Sequence, residues 1–463
     1  MFPFIFKGEF YPSSQWIYKP FEIQTPQQYN QKNYFYAHVQ DALYGSNQQK
    51  DISSYYEYAV DNATYHISCK QGEFDLDIDK ITLRIFKTGI AILSISLNNQ
   101  NYQDPKDILA INDFGRRIYP PFLGGKDAQL TQKPKSSLLA YYLSLSLDGL
   151  TLKEDFKAFD SIAKLSSGVQ LPKFINHLLE PHFKGTDILP VIDDRMFTIS
   201  LYLNDKLADS YKFYDNEKDT YAYESDAWWY EFVFVDGNGK TCTSKKMTKK
   251  FITESSYDRW VEYGTLFGIS RYSFVALSTT DFGQDVILPQ MKSLYFDMFT
   301  LLLSYRASII KFSDEIQDTT NNKKKHIAKD MRMLYGNYLD FLNQLFFKEV
   351  TAQDQGIEIY KQAMSIMQID MYMSDLDNEI NELHNYVKMI QEERENKKLN
   401  TLNRLAGFLL PASVLSGIAG MNILPNTITD QAQKGWEYLG GFAIVTILAT
   451  WLILKLVSKD TKD

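Results

Sequence analysis

One stretch of the chain sets cations among aromatic rings: Asp113-Phe114-Gly115-Arg116-Arg117-Ile118-Tyr119-Pro120-Pro121. Guanidinium groups grip phosphate through paired hydrogen bonds, and aromatic faces stack on bases. Arg116 and Arg117 are therefore candidate ligands for a nucleotide, while the same pair would also serve as a salt-bridged contact. Asp193-Asp194-Arg195 suits a cation, or more simply a turn or ion pair. The six histidines are scattered, and His177 and His182 stand five apart with no acid nearby, which is weak spacing for a metal. The aromatic run Tyr221–Trp229 around Asp226 reads as core rather than as a ligand box. A different chemistry closes the chain's first long apolar run. There Gly420-Met421-Asn422 puts one carboxamide at the end of a segment without charge. There is no phosphate-binding glycine loop with Lys-Ser/Thr, no nucleophile elbow, no zincin motif and no Cys-x-x-Cys, so the chain does not read as an enzyme.

The segments carrying that carboxamide come next. Residues 405–424, LAGFLLPASVLSGIAGMNIL, make 20 positions without a charge. That is enough to cross a hydrocarbon layer of ~30 Å at ~1.5 Å per residue. Pro411 lies inside it, which membrane helices tolerate when neighbours satisfy the freed carbonyl. A second span is expected over 436–457, with Trp436 and Tyr438 at one interface and Lys455 at the other. Arg394, Lys397, Lys398 and Arg404 precede the first span, and Lys455, Lys459 and Lys462 follow the second. The loop 425–435 between them holds only Lys434, so both termini are expected in the cytoplasm, with 458–463 as a short tail. The opening Met1–Glu9 has an apolar run that stops at Lys7, which does not read as a secretory signal. Two helices of one chain cannot enclose water. Small residues in the first span (Ala406, Gly407, Ala412, Ser413, Ser416, Gly417) permit close approach between copies.

A helical pattern runs from about 353 to the first span. Leu376, Ile380, Leu383, Val387 and Ile390 step by four and three as a heptad seam, with charge on the other faces. Residues 353–404 are expected as a stalk that transmits motion to the membrane, or as a plain oligomerisation stalk.

The remainder reads as an α/β domain over 1–285 followed by helices over 286–352. Ile81–Leu97 alternates like paired strands around Gly89, and Met196–Leu203 is another strand. Trp228–Gly239 reads as a strand ending in a turn, and 285–318 and 323–350 read as helices. Charge and composition narrow the function classes. Among 463 residues, 44% are hydrophobic and 23% charged, so the chain is not disordered. A net charge of −8 opposes a general nucleic-acid binder, and two cysteines cannot build a disulfide framework.

The Gly420-Met421-Asn422 tripeptide, at the end of the penultimate span and nine residues after Pro411, resembles the CorA family of two-span divalent-cation channels. The resemblance covers about residues 353–463. It implies a homopentamer in the inner membrane, with a funnel-shaped cytoplasmic domain and five first spans around the pore. By position, Asn422 would present a ring of amides to hydrated Mg2+, with Gly420 and Met421 beside it. Asn396, Leu399, Leu402, Ala406, Leu410, Ser413 and Gly417 would line the pore, the leucines as apolar constrictions. Mg2+ sheds water reluctantly, so capture through its hydration shell by neutral oxygens suits it. Typical members carry Met-Pro-Glu-Leu after the motif. Here the loop reads Ile423-Leu424-Pro425-Asn426, so Asp430 and Glu437 are the acids left to attract cations. The family also has enlarged members beside type III CRISPR systems that resemble membrane effectors switched by a nucleotide second messenger, adenylated S-adenosylmethionine. The oversized front domain and the Arg116–Arg117 pair are similar to that branch. A non-conducting membrane-anchored scaffold is the third alternative. No organic cofactor is expected.

Overall fold

A computed structural model describes the chain except residues 46–51, 120–139, 157–170, 184–187, 192–194, 322–326, 421–440 and most of 442–463. The fold is mixed α/β. The described part divides into one unit of Met1–Asn321 with Met333–Glu379, and a second of Asn322–Arg332 with Ile380–Asp463.

The first unit opens with a nine-stranded sheet. Its strands are β1 (Phe2–Ile5), β2 (Trp16–Tyr18), β3 (Ser53–Tyr58), β4 (Ala63–Cys69), β5 (Gly72–Phe86), β6 (Ile90–Asn98), β7 (Tyr142–Leu147), β8 (Leu150–Asp155) and β9 (Leu189–Pro190). They lie in the order β8-β7-β4-β5-β6-β1-β9, with β2 and β3 joined to the side of β5, and every pairing is antiparallel. The hairpin expected around Gly89 forms as β5–β6. Gly89 takes φ +78°, a turn conformation that suits glycine. Asp148 and Gly149 both have positive φ between β7 and β8, as a two-residue hairpin turn requires. Among the described residues, helices α1 (Pro26–Tyr34), α2 (Ala37–Tyr44), α3 (Pro105–Gly115) and α4 (Lys173–Leu179) accompany this sheet in sequence. Phe2, Phe4, Tyr65, Ile67, Leu83, Leu143, Phe174 and Leu178 are buried in one core.

A four-stranded sheet follows, ordered β10-β15-β14-β13. It uses β10 (Thr198–Leu203), β13 (Ser256–Tyr257), β14 (Leu266–Ser270) and β15 (Ser273–Ser278), while β11 (Tyr214–Asp215) and β12 (Thr220–Tyr221) make a separate pair. β10 runs parallel to β15, and the other pairings are antiparallel. Helices α5 (Asp205–Tyr211), α6 (Ala227–Phe234) and α7 (Lys245–Ser255) belong to this region. The segment expected as a strand over Trp228–Gly239 is helix α6 instead, through Phe234. Asp226 caps its N-terminus by accepting from the Trp229 N–H, and Val235 ends it in the left-handed conformation. Trp229, Tyr230, Phe232 and Val233 are all buried, so the helix is apolar nearly all round and shows no strand-like alternation. Within Tyr221–Trp229, Tyr223 and Trp229 are buried in the core of this region, and Tyr221 and Trp228 pack against it half-buried.

Beyond short helical turns over Thr280–Lys292 come α8 (Leu294–Asn321), α9 (Ile327–Gln344), α10 (Asp354–Ile366) and α11 (Ile369–Gly420). Among the described residues, one helical stretch is long and apolar enough to cross a membrane, Thr280–Thr320, and 61% of its apolar window is buried inside the molecule. Its C-terminal part is the core helix α8, which lies against β1 and β6. Leu301, Leu302, Leu303, Tyr305 and Ala307 of α8 are fully buried.

The stalk expected as one helix from 353 is two. Gln368, at φ +57°, separates α10 from α11. No glycine or proline announces this joint in the sequence.

Candidate functional site

Helix α11 holds 52 residues and is about 80 Å long at ~1.5 Å per residue. Its character changes along its length. Of the expected seam, Leu376, Ile380, Leu383 and Val387 are buried and Ile390 is half-buried. From Glu392 onward the described side chains are exposed apart from Gly407, which is half-buried. Leu399 is 54%, Leu402 60% and Leu410 61% exposed, and Leu405, Leu409 and Val414 are similarly bare. Asn396, Leu399, Leu402, Ala406, Leu410, Ser413 and Gly417 therefore share one continuous helix, at spacings of three and four that keep them on one face. Within this single chain all of them face outward.

The helix stays regular through Pro411 up to Gly420. Pro411 has no N–H, so the Gly407 carbonyl goes without its usual intrahelical donor. Hydroxyls elsewhere on the segment are satisfied locally. Ser413 Oγ donates to the Leu410 carbonyl at 2.9 Å, and Ser416 Oγ to the Ser413 carbonyl at 3.0 Å. Such bonds let serine sit in an apolar environment without an orphaned donor. Met421, Asn422, Asp430 and Glu437 lie outside the described residues, as do Asp193 and Asp194, the loop 425–435, most of the span 436–457 and the tail 458–463.

Arg116 and Arg117 follow α3, and both are buried, at 4% and 5% exposure. Asp113, on the last turn of α3, stands between them: its Oδ1 is 3.3 Å from Arg117 Nη2 and 3.8 Å from Arg116 Nη2. Its Oδ2 accepts from the Gly237 N–H at 3.2 Å, and Arg116 Nη2 donates to the Val235 carbonyl at 3.0 Å. Burial pushes the Arg116 guanidinium down to about 10 against the pull of Asp113. Burial raises the Asp113 carboxyl too, opposed by both arginines. For Arg116 and Asp113 desolvation thus outweighs what the contacts restore, the expected balance for buried pairs. The geometry ties α3 to the turn after α6, where a Cβ on Gly237 would stand 2.5 Å from the Leu109 carbonyl oxygen. In this position the pair works as an internal bracket, the alternative that the sequence left open.

His177 lies on α4. His182 is buried, with Nδ1 3.2 Å from the Tyr11 carbonyl, and burial lowers its pKa. Among the described residues no three His, Cys, Asp or Glu side chains gather as a metal site. A second group of cations gathers near Tyr272: Arg195 and Arg306 lie over its ring, and Arg306 donates to the carbonyl of Arg271, whose own guanidinium lies against Tyr372. No motif joins these positions in the sequence, because they come from three separate segments that only the fold brings together. Against protein-family models, curated proteins and solved structures alike, the chain shows no match.

Proposed function

We propose that the chain is a two-span membrane protein of CorA-like design, a homopentameric channel that passes hydrated divalent cations, Mg2+ foremost, through a ring of Asn422 amides. The observation that supports this reading is the bare leucine face of α11. Leu399, Leu402, Leu405, Leu409, Leu410 and Val414 are each more than half exposed in the single chain. Burying one such side chain is worth about 1.5–3 kcal/mol, so six on one uncovered helix call for lipid, for other copies, or for both. A pore built from first spans uses both at once: one face meets the sister helices and the opposite face meets lipid. The basic cluster Arg394, Lys397, Lys398 and Arg404 then marks the cytoplasmic boundary of the inner membrane, with both termini inside. In this reading Asn396 makes a polar ring at the inner mouth, and Leu399, Leu402 and Leu410 close the path by excluding water. Asp430 and Glu437 draw cations to the outer mouth. The chain is a transporter and not an enzyme.

The test is flux into liposomes loaded with a Mg2+-sensitive dye, wild type against Asn422→Ala. We expect Mg2+ entry in the wild type and at least a tenfold loss in the variant. Absence of any Asn422-dependent flux overturns the pore and leaves a membrane-anchored scaffold.

A further inference from the structure

Tyr272 sits in the tight turn between β14 and β15, and two guanidinium groups stack on its ring. The Arg195 carbon centre is 4.7 Å from the ring centroid and that of Arg306 is 5.3 Å away. Arg306 projects from the core helix α8 and is only 8% exposed. Its Nη1 donates to the Arg271 carbonyl at 3.0 Å. Arg271 in turn donates from Nη2 to the Tyr372 hydroxyl at 3.2 Å, and its guanidinium lies 5.6 Å from the Tyr372 ring. The Tyr372 hydroxyl reaches Gln368 Oε1 at 3.2 Å, at the joint between α10 and α11. The Nε atoms of both Arg271 and Arg306 are buried and have no hydrogen-bond partner. Among the described residues, no carboxylate lies within ion-pair distance of either guanidinium.

This arrangement differs from every other buried arginine described above. Arg84 faces Asp297, and Arg116 and Arg117 share Asp113. Arg306 and Arg271 are instead two like charges held close together, and desolvation and the Arg271 charge both drive the Arg306 pKa down. Ring faces offset part of the cost of burying a cation, and a hydrogen-bonded counter-anion offsets far more. Two guanidinium forks from different elements suit a tetrahedral oxyanion, which offers oxygens to both at once.

We propose that Arg271 and Arg306 form a binding site for a phosphate group, next to the joint where α11 begins. The phosphate is inorganic or is carried on a nucleotide; the chemistry recognised is the same. The site does not depend on the pore reading, because it lies wholly within the first unit and is tested by binding alone.

Thermal unfolding of the intact, detergent-solubilised protein provides the test. The probes are sodium phosphate and ATP without metal, against sodium chloride at matched ionic strength. Phosphate is expected to raise the midpoint saturably where chloride does not. Arg306→Gln and Arg271→Gln are each expected to weaken the apparent affinity at least tenfold. Arg271 is only half-buried, so its variant keeps the test open if Arg306→Gln folds poorly. Tyr372→Phe should bind at least as tightly as wild type, since it frees an Arg271 donor. ATP binding tenfold tighter than phosphate assigns the site to a nucleotide, and equal binding assigns it to free phosphate. Equal responses to phosphate and chloride, or an undiminished phosphate response in Arg271→Gln, overturn the proposal and leave the arginines held by the tyrosine rings alone.

Discussion

Asp297 on α8 is the most heavily engaged carboxylate described above. Its Oδ1 takes Arg84 Nη2 at 3.0 Å, and its Oδ2 accepts from Gln31 Nε2 at 2.7 Å and from the Tyr44 hydroxyl at 2.8 Å. Arg84 also donates to the Leu43 carbonyl at 2.7 Å. Asp297→Ala would strand a buried guanidinium, and such losses cost about 3–5 kcal/mol. Urea unfolding should show a lower midpoint at unchanged slope, the unfolding free energy falling by that amount. Charge also sets a pH dependence at His182, whose buried ring has a lowered pKa. The unfolded chain then binds the proton more readily than the folded one, so stability rises with pH across the interval between the folded and unfolded values. The contribution is complete above the unfolded value near 6.5 and is lost as pH falls through the interval toward the folded value. Unfolding midpoints measured from pH 7.5 to 5 should fall less in His182→Gln than in wild type.

At the scale of elements, close approach decides which substitutions fit. Gly268 on β14 faces α6 so closely that an added Cβ would stand 2.3 Å from Val233 Cγ2. Both residues are buried. Gly268→Ala should therefore destabilise by about 1–3 kcal/mol through overpacking, whereas Gly149→Ala at an open turn pays only for its positive φ of +88°. Paired thermal melts of the two variants check the ranking. The same scale shows how legible the sequence was. The β5–β6 hairpin was readable because alternation and Gly89 agree. Helix α6 was not, since Trp228-Trp229-Tyr230-Glu231-Phe232-Val233-Phe234 is rich in aromatic and β-branched residues, types favoured in strands. Its helical signal was Asp226 at the N-cap, followed by apolar residues on nearly every face and without strand-like alternation.

For the whole molecule the decisive contrast is between two apolar helices. The stretch around α8 passes the length and hydropathy criteria for a span and is spent on the core. The far end of α11 is short of partners in the single chain. Hydropathy alone cannot separate these cases, because a core helix and a membrane helix exclude water equally well. If the proposed topology holds, Leu410→Arg should impair insertion, at roughly 2.5–3.5 kcal/mol for an arginine near the centre of a span. Carbonate extraction of membranes should then release the variant and retain the wild type. An equivalent Leu302→Arg change on α8, where Leu302 is fully buried, should instead unfold the packed core and leave no protein to fractionate.

Local pattern was enough to establish the α/β character and the heptad pattern of α11, because periodicity and turn residues are properties of neighbours in sequence. The break at Gln368, the closure of Arg116 and Arg117 around Asp113, and the meeting of Arg271 with Arg306 without a carboxylate in reach among the described residues were settled by folding. Each depends on groups far apart in the chain, whose charges and volumes act on one another only once the sheets and helices have brought them within a few ångströms.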